Sequence, residues 1–183
     1  MLVQRFLEDS ARQYPAKTAL VGGGQRLTYQ EIETTANRLA HALQGTGVER
    51  GDRVVVFLDN SVEAVVSLFA VLKAGGVFVI VNPTTKIDKL AYILNNCRAR
   101  VLITQASRLR PLQEERPGLP HLSAIVVARG EVAAPLGSIA CLSLDGLLAR
   151  HEADTSPPQN PCIDIDLVAL IYTSGSTGNP KGV

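Results

Sequence analysis

A chain of 183 residues, 46% of them hydrophobic, suits one domain or slightly more and can bury a real core. Lysine and arginine total 18 against 17 acids, and only 4% of residues are aromatic, with no tryptophan. A charge field for nucleic acid or an anionic membrane, and stacking platforms for single strands, are therefore not expected.

The chain opens with Leu2, Val3, Phe6, Leu7 and Ala11 at helical spacing, ahead of Pro15. This start lacks the basic region and apolar run of a signal peptide. TALVGGGQRLTY predicts a hairpin turning at Gly22–Gly24. Thr28 then stands three residues before Glu31, a capping box for a helix carrying Ile32, Ala36, Leu39, Ala40 and Leu43, which Gly45 and Gly47 end. RVVVFL (53–58) reads as a strand, and Asn60 or Ser61 can cap a helix through Lys73. VFVIVN (77–82) is a second strand, followed by a helix with Leu90, Ile93 and Leu94. The apolar stretch from Val62 to Val81 is broken by Lys73, Gly75 and Gly76, which favours helix then strand over a membrane span. VLIT (101–104) and AIVVA (124–128) repeat the strand signal. Strands apolar on both faces that alternate with helices predict an α/β fold, its mainly parallel sheet covered by helices.

Two stretches interrupt the alternation. Residues 108–121 hold Pro111, Pro117 and Pro120, with a charge run at Glu114–Arg116 that reads as a solvated helix face. Residues 152–166, with Pro157, Pro158 and Pro161, read as a surface linker before the last strand, LVALIYT (167–173). That strand is apolar through Tyr172 and is expected to be covered on both faces. Cys97, Cys141 and Cys162 give neither disulfide pairs nor zinc spacing. Reduced thiols in a cytoplasmic protein are the expectation, with Cys97 in the core. His41, His121 and His151 lack ligand spacing and read as surface residues.

The last strand runs into SGSTGNPKGV. Thr173, Ser174, Ser176 and Thr177 supply hydroxyls. Gly175, Gly178 and Gly182 permit positive φ or close approach to a ligand, and Lys181 supplies a point charge with three donors. Successive backbone N–H groups in such a turn can form an anion nest, and a loop after a parallel strand sits at the sheet's ligand-binding edge. Phosphate recognition is the chemistry this segment can perform. A solvated Ser/Gly connector is the bland alternative. A Walker A loop does not fit, because Pro180 precedes Lys181 and Gly182 follows it; GxGxxG and GxSxG are absent.

The segment YTSGSTGNPKGV (172–183) resembles the phosphate loop of the adenylate-forming superfamily, which includes acyl-CoA synthetases, peptide-synthetase adenylation domains and firefly luciferase. LTYQEIETTANRLAHAL (27–43) is similar to that family's first helix after its hairpin. LKAGGVFVIVNP (72–83) is similar to its next landmark, with Ile80 where proline commonly stands. The resemblance spans the chain and implies that 1–183 is the N-terminal part of the family's large AMP-binding domain, cut just after the phosphate loop. It implies a ligase using ATP and Mg2+ to convert a carboxylic acid to an acyl-adenylate, then passing the acyl group to a thiol of coenzyme A or a carrier-protein phosphopantetheine. Thr173, Ser174, Gly175, Ser176, Thr177, Gly178 and Lys181 would bind ATP, with Lys181 offsetting charge on the leaving pyrophosphate. Adenine, ribose and magnesium contacts and a catalytic lysine are expected downstream, so the 183 residues alone are expected to be inactive. The asparagine of VNP (81–83) leans toward acyl-CoA synthetases over amino-acid adenylation domains, which more often carry aspartate there. A non-catalytic α/β module with a phosphate- or partner-binding surface is the other class.

Overall fold

A computed structural model describes residues 1–115, 118–132, 134–159, 162–173 and 180–183. Helix α1 (Gln4–Gln13) precedes a two-stranded hairpin, β1 (Thr18–Gly22) and β2 (Gln25–Thr28). Gly23 and Gly24 form its two-residue turn at φ +58° and +77°. Two successive left-handed residues make the turn whose twist matches paired strands, which is why glycines stand there. Helix α2 (Tyr29–Gly45) starts with the expected capping box: Thr28 accepts from the Glu31 amide at 3.2 Å, and the Glu31 carboxylate accepts from the Thr28 amide at 2.7 Å. Such a cap contributes about 1 kcal/mol.

From here strands and helices alternate as β3 (Arg53–Phe57), α3 (Val62–Lys73), β4 (Val77–Ile80), α4 (Ile87–Asn96), β5 (Ala99–Thr104), α5 (Ala106–Glu115) and β6 (Ala124–Val127). They are followed by β7 (Ala140–Ser143), α6 (Leu144–Arg150), β8 (Ala169–Thr173) and β9 (Lys181–Gly182). The sheet order is β7-β6-β5-β3-β4-β8-β9, parallel throughout except for β9. Successive residues of β3 feed opposite faces. Val54 and Val56 pack under α2, α3 and α6, while Val55 and Phe57 pack under α4 and α5. This two-sided burial is what the continuous apolar runs predict.

Three features differ from the sequence reading. Helix α5 forms across Pro111, because Leu109 and Leu112 are buried in the α4-side core. Pro111 lacks an N–H and costs helix stability, but burial of two leucines at i,i+3 outweighs it. The short pair β7–α6 was not legible; Ser143 caps α6 by accepting from the Gly146 amide at 3.2 Å. Strand β8 is covered on one face only. Leu170 and Tyr172 pack on the α4 side, whereas Ile171 is 59% exposed and its neighbour Ile80 is 48% exposed.

Helices α1, α2 and α3 meet at one buried cation. Lys73, 1% exposed, donates to Glu8 and to Glu33 at 2.9 Å each. Glu33 also accepts from Asn37 Nδ2 at 3.2 Å. Replacing Lys73 by methionine leaves Glu33 in the interior without its cation, so stability should fall by about 3–5 kcal/mol. Adding Glu33→Gln should recover much of that loss. Urea unfolding of the single and double variants checks this, and a single-variant loss below about 1 kcal/mol would mean the network is solvated.

Candidate functional site

The site grows from the end of β8. The Phe78 amide donates to Val168 O at 3.1 Å, and Phe78, Val79 and Ile80 align with Ala169, Leu170 and Ile171. Because β8 runs parallel to β4, its last residue emerges at the sheet's carboxyl edge, with the segments that follow β3, β4, β5 and β6. The chain then returns as β9, antiparallel to β8. Ile171 and Val183 exchange main-chain hydrogen bonds at 2.9 and 3.0 Å. That register sets Tyr172 opposite Gly182 and Thr173 opposite Lys181. Residues directly opposite in a ladder share a face, so the Thr173 hydroxyl and the Lys181 ammonium serve the same side of the ribbon. Both residues are exposed. A hydroxyl donor beside an ammonium suits an anion with several oxygens.

The expected phosphate-binding residues therefore divide in two. Thr173 and Lys181 lie on facing strands at the mouth of the loop. Ser174, Gly175, Ser176, Thr177 and Gly178 lie outside the described residues. For Gly182 the requirement differs from positive φ. A Cβ there would sit 3.1 Å from Tyr172 Cζ and 3.3 Å from its Cε2 and hydroxyl, so a side chain would have to push the ring away by a few tenths of an ångström. Sequence reasoning gave Tyr172 no role. The signal that could have found it is the two-residue period, which turns it toward α4 when Thr173 faces the other way. Its hydroxyl bonds Asn96 Oδ1 on α4, and burial, then the neighbouring Cys97 and Tyr92, push the phenol up to about 12.

Two hollows flank Ile80. One, about 300 Å³, lies on the α3 side between the β1–β2 hairpin and Val62, Val65 and Leu68. The other, about 370 Å³, lies on the α4 side and is lined by Asn82, Lys86, Lys89, Tyr172 and Pro180. Asn82 accepts from the amide and hydroxyl of Thr84 at 2.9 and 2.8 Å, which shapes the β4–α4 turn. An aspartate would accept the same two bonds, so the turn does not distinguish asparagine from aspartate here.

The approach to β8 is pinned. Asn37, His41 and Gln44, on one face of α2, bond the carbonyls of Thr155, Ser156 and Gln159 at 2.7, 3.1 and 3.0 Å. Arg50 grips both oxygens of Asp166 at 2.9 and 2.7 Å. His151 pairs locally with Asp154 at 2.7 Å. None of the three cysteines is joined in a disulfide, and burial pushes the Cys97 thiol up to about 11. Among the described residues no three His, Cys, Asp or Glu side chains cluster as metal ligands, and no helix is long and apolar enough to cross a membrane.

The parallel α/β sheet ends in a hydroxyl- and lysine-bearing hairpin at its carboxyl edge, and the chain belongs to a known class of enzyme. Residues 7–183 match the family described as AMP-binding enzyme, and the chain is a member of it. It is similar to tyrocidine synthase 3 of Brevibacillus parabrevis, 36% identical over 99% of this chain and 2% of the relative. Against tyrocidine synthase 1 of the same organism it is 34% identical over 98% of this chain and 15% of the relative. Among solved structures it resembles the anthranilate CoA ligase AuaEII in complex with anthranoyl-AMP. That match has a TM-score of 0.90 and 32% identity, and covers 100% of this chain and 34% of the ligase. The N-terminal domain of FACL13 from Mycobacterium tuberculosis matches with a TM-score of 0.79 at 26% identity, over 100% and 43% of the two chains. The chain thus spans a minor part of the length of each of these relatives.

Hydrogen bonds from Arg50, then the Ile163 amide, hold the Asp166 carboxyl at about 2, below its ordinary 3.8. The folded state therefore binds this proton less tightly than the unfolded chain. The contribution of the clamp should be fully present above pH 4, roughly the unfolded value, and be lost as pH falls toward 2. Acid unfolding of Asp166→Asn should lack that step. An unchanged acid profile in the variant would show that the clamp contributes nothing.

Proposed function

We propose that this chain forms the pyrophosphate-holding part of an AMP-forming ligase that activates a carboxylic acid. The observation that carries the reading is the hairpin register that faces Thr173 with Lys181 at the carboxyl edge of the sheet, in a member of the AMP-binding family. In the proposed reaction a substrate carboxylate oxygen attacks the α-phosphorus of ATP. A new O–P bond forms as the bond to the bridging oxygen of pyrophosphate breaks. Thr173, Ser174, Ser176 and Thr177 donate to the β- and γ-phosphates, Gly175 and Gly178 let the backbone wrap them, and Lys181 offsets charge as pyrophosphate leaves. A thiol then attacks the acyl carbon and AMP departs.

We take coenzyme A as the acceptor, a reading supported by the likeness to the anthranilate CoA ligase. A carrier-bound phosphopantetheine is the second reading, supported by the 34–36% identity to several peptide synthetases. Magnesium would accompany ATP. Thr173 and Lys181 are a hydroxyl and a cation, suited to phosphate oxygens, and the described residues bring no carboxylate cluster to the hairpin for the metal. A cytoplasmic setting is the accompanying proposal, in keeping with three cysteines held as thiols.

In the ligase that carries this segment, Lys181→Ala or Thr177→Val should slow acyl-adenylate formation about a hundred- to a thousandfold. Thioester formation from a supplied acyl-adenylate should be spared, since pyrophosphate has gone before the thiol attacks. Timing the two half-reactions separately checks this, and equal loss in both refutes the assignment. The 183 residues alone should show no ATP–pyrophosphate exchange with fatty, aromatic or amino acids above a Lys181→Ala control. Clear exchange would make the segment self-sufficient.

A further inference from the structure

Among the described residues, the strands that flank 174–180 pack their apolar side chains against the body on one side. Ile171 and Val183 stand 59% and 80% exposed on one face, while Leu170 and Tyr172 on the other pack against the α4-side core. Strand β9 has two residues, and β8 aligns with β4 through three pairs. Main-chain pairing therefore leaves the far end of the ribbon, where Thr173 meets Lys181, beyond the last β4 partner.

Helix α4 is the rigid object beside that end. Leu90, Ile93 and Leu94 are 0%, 3% and 2% exposed. The carbonyls that follow the helix are gripped by Arg53, which donates to Cys97 O at 2.6 Å and Arg98 O at 3.0 Å. Asn95 donates to Gly118 O at 2.8 Å, a second tie.

We propose that Tyr172 is a positioning residue that fixes both legs of the 174–180 loop to helix α4, through its hydroxyl on Asn96 and its ring across Gly182. One leg is fixed because Tyr172 belongs to it. The other is fixed because the ring packs closely on residue 182, where a Cβ would sit 3.1 Å from Cζ, so β9 lies against the ring more tightly than most side chains allow. With both legs held, the loop between them starts and ends at set positions. Fixed ends reduce the ordering that binding an anion costs, which is the direction of preorganised stabilisation. The geometric inference stands alone; its catalytic consequence rests on the phosphate-binding reading of the loop.

Two measurements on Tyr172→Phe, Asn96→Ala and their combination decide it. In this chain, amide hydrogen exchange of peptides covering 172–183 should quicken in each variant while β3 amides keep their protection. The double variant should be no faster than either single, because both remove one bond. Gly182→Ala, which displaces the ring, should quicken the same peptides. Unchanged exchange at 172–183, or additive effects of the two substitutions, overturns the proposal. In the ligase that carries the segment, KM for ATP should rise about three- to tenfold in Tyr172→Phe, the worth of one net hydrogen bond. Thioester formation from supplied acyl-adenylate should stay within about twofold of the parent. An unchanged KM for ATP overturns the positioning role. A parent that exchanges no pyrophosphate with any acid counts against the proposed function instead, and the amide-exchange result still decides Tyr172.

Discussion

The architecture depends on one strand having no solvent face. In β3, Val54, Val55, Val56 and Phe57 are each 3% exposed or less, with parallel neighbours β4 and β5 on either side. A strand apolar on both sides must be covered by helices on both sides, and parallel pairing makes the chain cross back after each strand. Together these two requirements put the segments that leave β3, β4, β5, β6 and β8 at one edge. The candidate hairpin is at that edge because the core forces every parallel strand to end there.

Much of this was legible in the sequence, for identifiable reasons. Helix α2 was readable from Thr28 and Glu31, whose reciprocal bonds are local and do not depend on the rest of the fold. β3, β4, β5 and β6 were readable because double burial leaves a continuous apolar run. Helix α5 was hidden because Pro111 is a local signal against helix, and the burial of Leu109 and Leu112 that overrides it is tertiary. The exposure of Ile171 was also hidden, since an apolar run reports the capacity to be buried and says nothing of what covers each face.

At the candidate site the residue types were legible and their arrangement was not. Glycine, hydroxyl and lysine density pointed to the segment, but only strand register sets Thr173 opposite Lys181 and turns Tyr172 toward α4. Gly182 illustrates the difference. Its residue type suggested backbone freedom, whereas the structure shows a close contact with a side chain ten positions earlier in the chain.

Topology alone would have placed a ligand elsewhere. The order β4-β3-β5-β6-β7 is the doubly wound arrangement whose connections diverge between β3 and β5, and the crevice at such a divergence is the usual ligand site. Here the protein's own side chains occupy it. Arg108 donates to Asp59 at 2.7 Å and also to Pro83 O, and its guanidinium lies 5.1 Å from the centre of the Phe57 ring. Gln105 donates to Asp59 at 3.1 Å, and Arg129 grips both oxygens of Glu63 at 2.9 and 2.6 Å. Hydrogen bonds from Gln105 and Arg108 hold the Asp59 carboxyl below its ordinary range, so it stays ionised and engaged. An incoming anion would have to displace these bonds and meet Asp59 and Glu63 as like charges. At the β8 end no such closure is needed, because the chain turns back as β9 and carries its cation, Lys181, on the returning strand. The ion pairs that seal the divergence of the sheet and the hairpin that extends its far edge are thus two parts of one arrangement. The first holds the carboxyl ends of β3, β4 and β5 together, and the second leaves a hydroxyl and an ammonium exposed beside them.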